Sequence, residues 1–123
     1  MTLQELYALM GGNYEQAVKV MRMDRLIDRY VRKLGKSGTF EALFAAEEEM
    51  DPTKLYESSH ALKGVCANLG LDDIAQDASD VCEQYRPGNE RTMTDDEAKA
   101  IIEHIKLRYA NVMDKIAQYE NAS

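Results

Sequence analysis

From Ala98 to Tyr119, apolar side chains recur three or four residues apart: Ala98, Ile101, Ile105, Tyr109, Val112, Ile116 and Tyr119. An α-helix turns once in about 3.6 residues, so this spacing draws one apolar stripe along a single long helix. Such a helix cannot bury its stripe alone and needs other elements laid against it. No segment of the chain alternates polar and apolar residues as a half-buried strand would. Its partners are therefore helices, and the chain is expected to be all-α.

The remaining helices are marked by their ends. Thr94 with Glu97 forms a capping box ahead of the last helix, and Thr2 with Glu5 does the same for a first short one that stops at Gly11-Gly12. Asn13 with Gln16 opens a second helix, expected to run unbroken to Leu34, with Ala17, Val18, Met21, Ile27, Tyr30, Val31 and Leu34 inward. Ser37-Gly38-Thr39 opens a third, with Phe40, Leu43, Phe44 and Ala46 as its apolar side. Asp51-Pro52 combines an N-cap with a proline in the first turn, and Gly70 closes the helix that follows. A fifth helix fits Asp72 to Tyr85, with Ile74, Ala78, Val81 and Tyr85 in phase, before the loop Arg86-Pro87-Gly88-Asn89. Long helices on short loops imply an antiparallel up-down four-helix bundle with a short extra N-terminal helix, about six helices in all. Residues 1–123 are expected to form a single domain.

Charge narrows the function. The net charge is -7, which disfavours general nucleic-acid binding. Residues 19–36 nevertheless carry Lys19, Arg22, Arg25, Arg29, Arg32, Lys33 and Lys36 against only Asp24 and Asp28. This basic stretch reads either as a solvated helix face or as a patch for an acidic partner. No basic segment followed by an apolar run begins the chain, and no apolar stretch approaches the ~18 residues that span a bilayer, so a cytoplasmic, membrane-free protein is expected. The starting Met and the compact length suit a stand-alone chain. Cys66 and Cys82 both lie in helical patterns and read as apolar fillers rather than a disulfide framework.

The segment His60-Ala61-Leu62-Lys63-Gly64-Val65-Cys66-Ala67-Asn68-Leu69-Gly70 carries the chemistry. At about 100° per residue, with Leu55 set at 0°, Leu62, Cys66 and Leu69 fall at about 340°, 20° and 320°, which defines a core stripe. His60, Gly64 and Ala67 fall on the other side, at about 140°, 180° and 120°, with Tyr56 and Lys63 at about 100° and 80°. His60 thus faces away from the core. A glycine inside a helix costs about 1 kcal/mol relative to alanine, so Gly64 on an exposed face implies close approach by something else. A neutral imidazole offers a lone pair to phosphorus, and Lys63 one turn away offers a positive charge to a phosphoryl group.

His60, Leu62, Lys63, Gly64 and, six residues on, Gly70 resemble the pattern of the histidine-containing phosphotransfer (HPt) domain family. The family fold is an up-down four-helix bundle, so the resemblance covers nearly the whole chain. It implies that His60 accepts a phosphoryl group through Nε2, that Lys63 stabilises it and that Gly64 clears space for the partner. It implies phospho-aspartyl receiver domains as partners, one in a hybrid sensor histidine kinase and one in a response regulator, within a phosphorelay. Mg2+ is expected on the receiver, with no cofactor on this chain, which acts as a phosphocarrier without kinase activity and as a monomer. Tyr56, Glu57 and Ala67 are candidate receiver-docking residues. Where many family members have small polar residues after the glycine, this chain has Val65 and Cys66, which lie at or beside the core stripe.

Two other readings compete with this one. A metal site using His60 with Cys66, Cys82 or His104 lacks ligand spacing, and His60 and Cys66 lie about 120° apart on one helix. His104 reads as a boundary residue of the last helix. The second alternative is a helical scaffold that binds receiver domains without phosphotransfer.

Overall fold

A computed structural model describes residues 1–122. It is all-helical, with no strand among those residues, in the order α1 (Leu3–Met10), α2 (Tyr14–Met21), α3 (Asp24–Leu34), α4 (Thr39–Glu49), α5 (Pro52–Asn68), α6 (Asp72–Tyr85) and α7 (Asp95–Ala122). Helices α4 to α7 pack in sequence, α4 on α5, α5 on α6 and α6 on α7, and α4 also meets α7. These contacts close a four-helix ring. Helix α1 lies on α7, α2 bridges α5 and α3, and α3 lies on α7.

Local chemistry sets the boundaries. Both halves of the Thr2–Glu5 capping box are formed, and Gly11 ends α1 in the left-handed region, which glycine enters without a Cβ penalty. Asp51 accepts from the amides of Thr53 and Lys54 at 2.9 and 3.3 Å, with Pro52 opening α5. The Thr94–Glu97 box precedes α7 with both bonds at 3.1 Å.

One expected helix is two. The segment from Asn13 to Leu34 breaks at Arg22, which adopts φ 74°, and at the extended Met23. Apolar periodicity did not reveal the break, because Ile27, Val31 and Leu34 resume an apolar stripe beyond it. The Tyr14 hydroxyl hydrogen-bonds the Asp24 carboxylate across the joint. The break turns α2 toward α5, where Ala17 is fully buried, and leaves Val18 and Tyr30 exposed rather than inward. Within the basic stretch, Arg32 pairs with Asp28 at 3.0 Å and Lys36 with Glu120 of α7 at 3.8 Å, whereas Arg22, Arg25 and Arg29 are exposed.

The core follows the computed faces of α5: Leu55, Leu62 and Cys66 are fully buried and Leu69 nearly so. Burial pushes the Cys66 thiol up to about 12, so it stays neutral as a small apolar group. Ser59 is also fully buried, its hydroxyl donating to the carbonyls of Leu55 and Tyr56 at 2.6 and 3.1 Å, so its polarity is satisfied within the helix. On α7 the deeper isoleucine is Ile102 rather than Ile101, which is half-buried. Leu62→Ala is expected to cost about 2–5 kcal/mol, because it leaves a cavity under the middle of α5. Urea unfolding of the two chains measures this directly, and a loss under about 1 kcal/mol would mean that the wall of α5 collapses to fill the space.

Candidate functional site

Helix α5 is held firmly at its far end. Leu71 N–H donates to the Cys66 carbonyl at 2.9 Å and Gly70 N–H to that of Ala67 at 3.2 Å, a Schellman closure with Gly70 in the left-handed position. The Leu69 carbonyl accepts from the buried Tyr7 hydroxyl at 2.7 Å, and the Gly70 carbonyl accepts from Asn13 N–H, also at 2.7 Å. The terminal carbonyls of the helix are thus tied to α1 and to the start of α2. His60 is displayed from the middle of this fixed rod.

The His60 side chain is exposed, and its ring stacks on Tyr56 one turn earlier, with centroids 5.8 Å apart and planes inclined by 27°. Its Nδ1 lies 3.8 Å from Cys82 Sγ on α6. The Tyr56 hydroxyl accepts from Arg86 Nη1 at 3.0 Å, and the guanidinium carbon sits 5.2 Å from the Tyr56 ring centre. Arg86 is itself gripped by Glu83, Nη2 to Oε1 at 2.8 Å and Nε to Oε2 at 3.2 Å, a two-point fork. Hydrogen bonding from Arg86 holds the Glu83 carboxyl below its ordinary range, with smaller contributions from Lys63 and Asn89.

The rest of the face is open. A Cβ added at Gly64 would meet no atom within 4 Å outside its own stretch of helix, so no other part of the described residues fills the space beside it. Glu57 and Ala67 are exposed, and Lys63 is half-buried with no ion pair among the described residues. A separate groove of about 480 Å³, lined by Val20, Tyr30, Lys33, Val65 and Asn68 among others, lies where the end of α5 meets α2 and α3. Because Gly64 is a mid-helix glycine without a packing role, Gly64→Ala is expected to raise stability by about 0.5–1 kcal/mol. A denaturant titration that finds it destabilising would show that the glycine serves the fold after all.

Sequence reasoning grouped Tyr56, Lys63, Gly64 and Ala67 around His60 from their spacing on one helix. It considered Cys82 only as an apolar filler or a rejected metal ligand, and it missed Glu83 and Arg86, which lie alongside at the end of α6. Cys82 lies on α6 and Arg86 just past its end, and only the docking of α6 on α5 reveals that they meet His60 and Tyr56. His104 is elsewhere, exposed on α7 with Nδ1 2.8 Å from Asp77 Oδ2. Among the described residues no three His, Cys, Asp or Glu side chains are grouped to hold a metal ion, and no helix is long and apolar enough to cross a membrane.

A family model for the Hpt domain matches residues 20–117, a span that holds α3 to α6 whole, nearly all of α7 and the entire face around His60. The chain belongs to the Hpt domain family. No curated protein and no solved structure matches it. Hpt domains take part in histidine phosphotransfer in two-component signalling, interact with receiver domains and are phosphocarriers without kinase activity.

Proposed function

We propose that this Hpt domain is a phosphorelay intermediate in which His60 takes a phosphoryl group from a phospho-aspartyl receiver domain and gives it to a second receiver. The observation that carries this reading is the pairing of an exposed imidazole in mid-helix with the unfilled space beside Gly64. The Nε2 lone pair attacks phosphorus, the bond from phosphorus to the aspartyl oxygen breaks, and that electron pair returns to the receiver's carboxylate. Lys63, one turn from His60, offers positive charge to the phosphoryl oxygens. Mg2+ and the remaining charge stabilisation come from the receiver. The donor receiver belongs to a hybrid sensor histidine kinase and the acceptor to a response regulator, met in the cytoplasm by a single copy of this chain. Tyr56, Glu57 and Ala67 form part of the docking face.

Incubation with a labelled phospho-receiver tests the reading. Label is expected to move onto this chain in a bond that is labile in acid and stable in base, as a phosphoramidate is. A complex that forms without label transfer would establish a receiver-binding scaffold instead. Gly64→Gln is expected to fold and yet accept label at least about tenfold more slowly, because a long side chain fills the approach to His60 at a geometry-limited step. Equal rates for this variant and wild type would remove Gly64 from the docking face.

A further inference from the structure

We infer that Cys82 is a positioning residue for His60: its sulfur accepts the Nδ1–H hydrogen bond that leaves Nε2 bare, and Arg86 with Tyr56 holds the ring in that arrangement. The inference rests on His60 as the acceptor. A neutral imidazole carries its proton on one nitrogen or the other, and the partner of one nitrogen decides which tautomer is present. Free histidine favours the proton on Nε2, the form that cannot attack phosphorus through Nε2. An acceptor at Nδ1 is therefore needed to favour the reactive form. The protein atom that the structure places at Nδ1 is Cys82 Sγ, at 3.8 Å, on a residue with no exposed surface. With Nδ1 turned to this buried sulfur, Nε2 is left for the exposed side of the ring.

The surrounding contacts fix both partners of the ring. Arg86 Nη2 lies 4.0 Å from Cys82 Sγ while Nη1 donates to the Tyr56 hydroxyl, so one guanidinium bears on the sulfur under the ring and on the aromatic plane beside it. Glu83 holds that guanidinium at two points, and Asn89 Nδ2 donates to the Glu83 carbonyl at 2.9 Å. When Nε2 bonds phosphorus the ring becomes cationic, its Nδ1–H grows more acidic, and the hydrogen bond to sulfur strengthens as the transfer proceeds. An interaction that strengthens along the reaction accelerates it. Cys82 thus acts on the reaction through His60 without touching the phosphoryl group.

Long-range proton–nitrogen spectra of the neutral His60 ring test this in the unmodified protein. The wild-type chain is expected to show Nδ1 protonated and Nε2 bare as the major form. Cys82→Ala is expected to shift the population toward Nε2–H and to slow phosphoryl acceptance about two- to tenfold, the worth of one modest hydrogen bond. Arg86→Ala is expected to shift both readouts in the same direction. A wild-type ring that is mostly Nε2–H would mean that the thiol donates instead, and would overturn the assignment without any variant. An unchanged tautomer ratio in folded Cys82→Ala would also overturn it, and unchanged ratio and rate in Arg86→Ala would remove the clamp. Failure of the wild type to accept phosphate is a separate result, read in the transfer assay, and it overturns the role of His60 itself.

Discussion

His60→Gln is expected to reduce phosphoryl acceptance to background while leaving stability within about 1 kcal/mol of the wild-type chain. The two halves of that result come from the same geometry. His60 is exposed in mid-helix, contacts Tyr56 through its ring face and Cys82 through Nδ1, and lines no part of the core. Glutamine has at least as good a helix propensity and a similar length, so α5 and its buried stripe keep their packing. Its amide nitrogen, whose electron pair is delocalised into the carbonyl, is no nucleophile toward phosphorus. Label transfer from a phospho-receiver and a urea titration, run on the same preparation, check both halves. Label that persists on folded His60→Gln would place the accepting group on another residue. A loss of several kcal/mol would show instead that the imidazole is a structural member of the α5–α6 contact.

The parts of this molecule that were readable in the sequence are those fixed within one helix. The faces of α5 follow from a rotation of about 100° per residue, so Leu55, Leu62 and Cys66 went inward and His60 outward without knowledge of any neighbour. Capping chemistry located both ends of α5 because Asp51, Pro52 and Gly70 act on adjacent backbone groups. What periodicity could not decide were choices that it leaves degenerate. Ile101 and Ile102 both satisfy three- or four-residue spacing between Ala98 and Ile105, and only packing buries Ile102 fully. The break at Arg22 and Met23 carries no glycine or proline to announce it, and it accompanies the packing of α2 on α5. The contacts of Cys82 and Arg86 with His60 and Tyr56 are likewise properties of a helix pair, which one helix's sequence does not contain.

Gly70→Ala is expected to be among the most damaging single substitutions in the chain, costing about 2–5 kcal/mol, although it adds only a methyl group. Two costs combine. Gly70 sits at φ 72°, a left-handed conformation that costs a residue with a Cβ roughly 1–2 kcal/mol. The added Cβ would also lie 2.2 Å from the backbone oxygen of Asn13 and 3.3 Å from the amide nitrogen of Ala17. Those atoms cannot withdraw cheaply. Asn13 N–H is bonded to the Gly70 carbonyl at 2.7 Å, the Asn13 side chain caps α2 through the Gln16 amide at 3.1 Å, and Ala17 is fully buried against the core. Relief of the clash therefore means pulling α2 off the end of α5. The comparison with Gly64 is the sharpest check, because the same substitution is made twice, six residues apart. At Gly64 the space is empty and the backbone is ordinary helix, so alanine is expected to stabilise; at Gly70 both conditions fail, so it is expected to destabilise. Urea titrations of the two variants should fall on opposite sides of the wild-type chain. A Gly70→Ala variant as stable as wild type would mean that the first turn of α2 does not press on the end of α5.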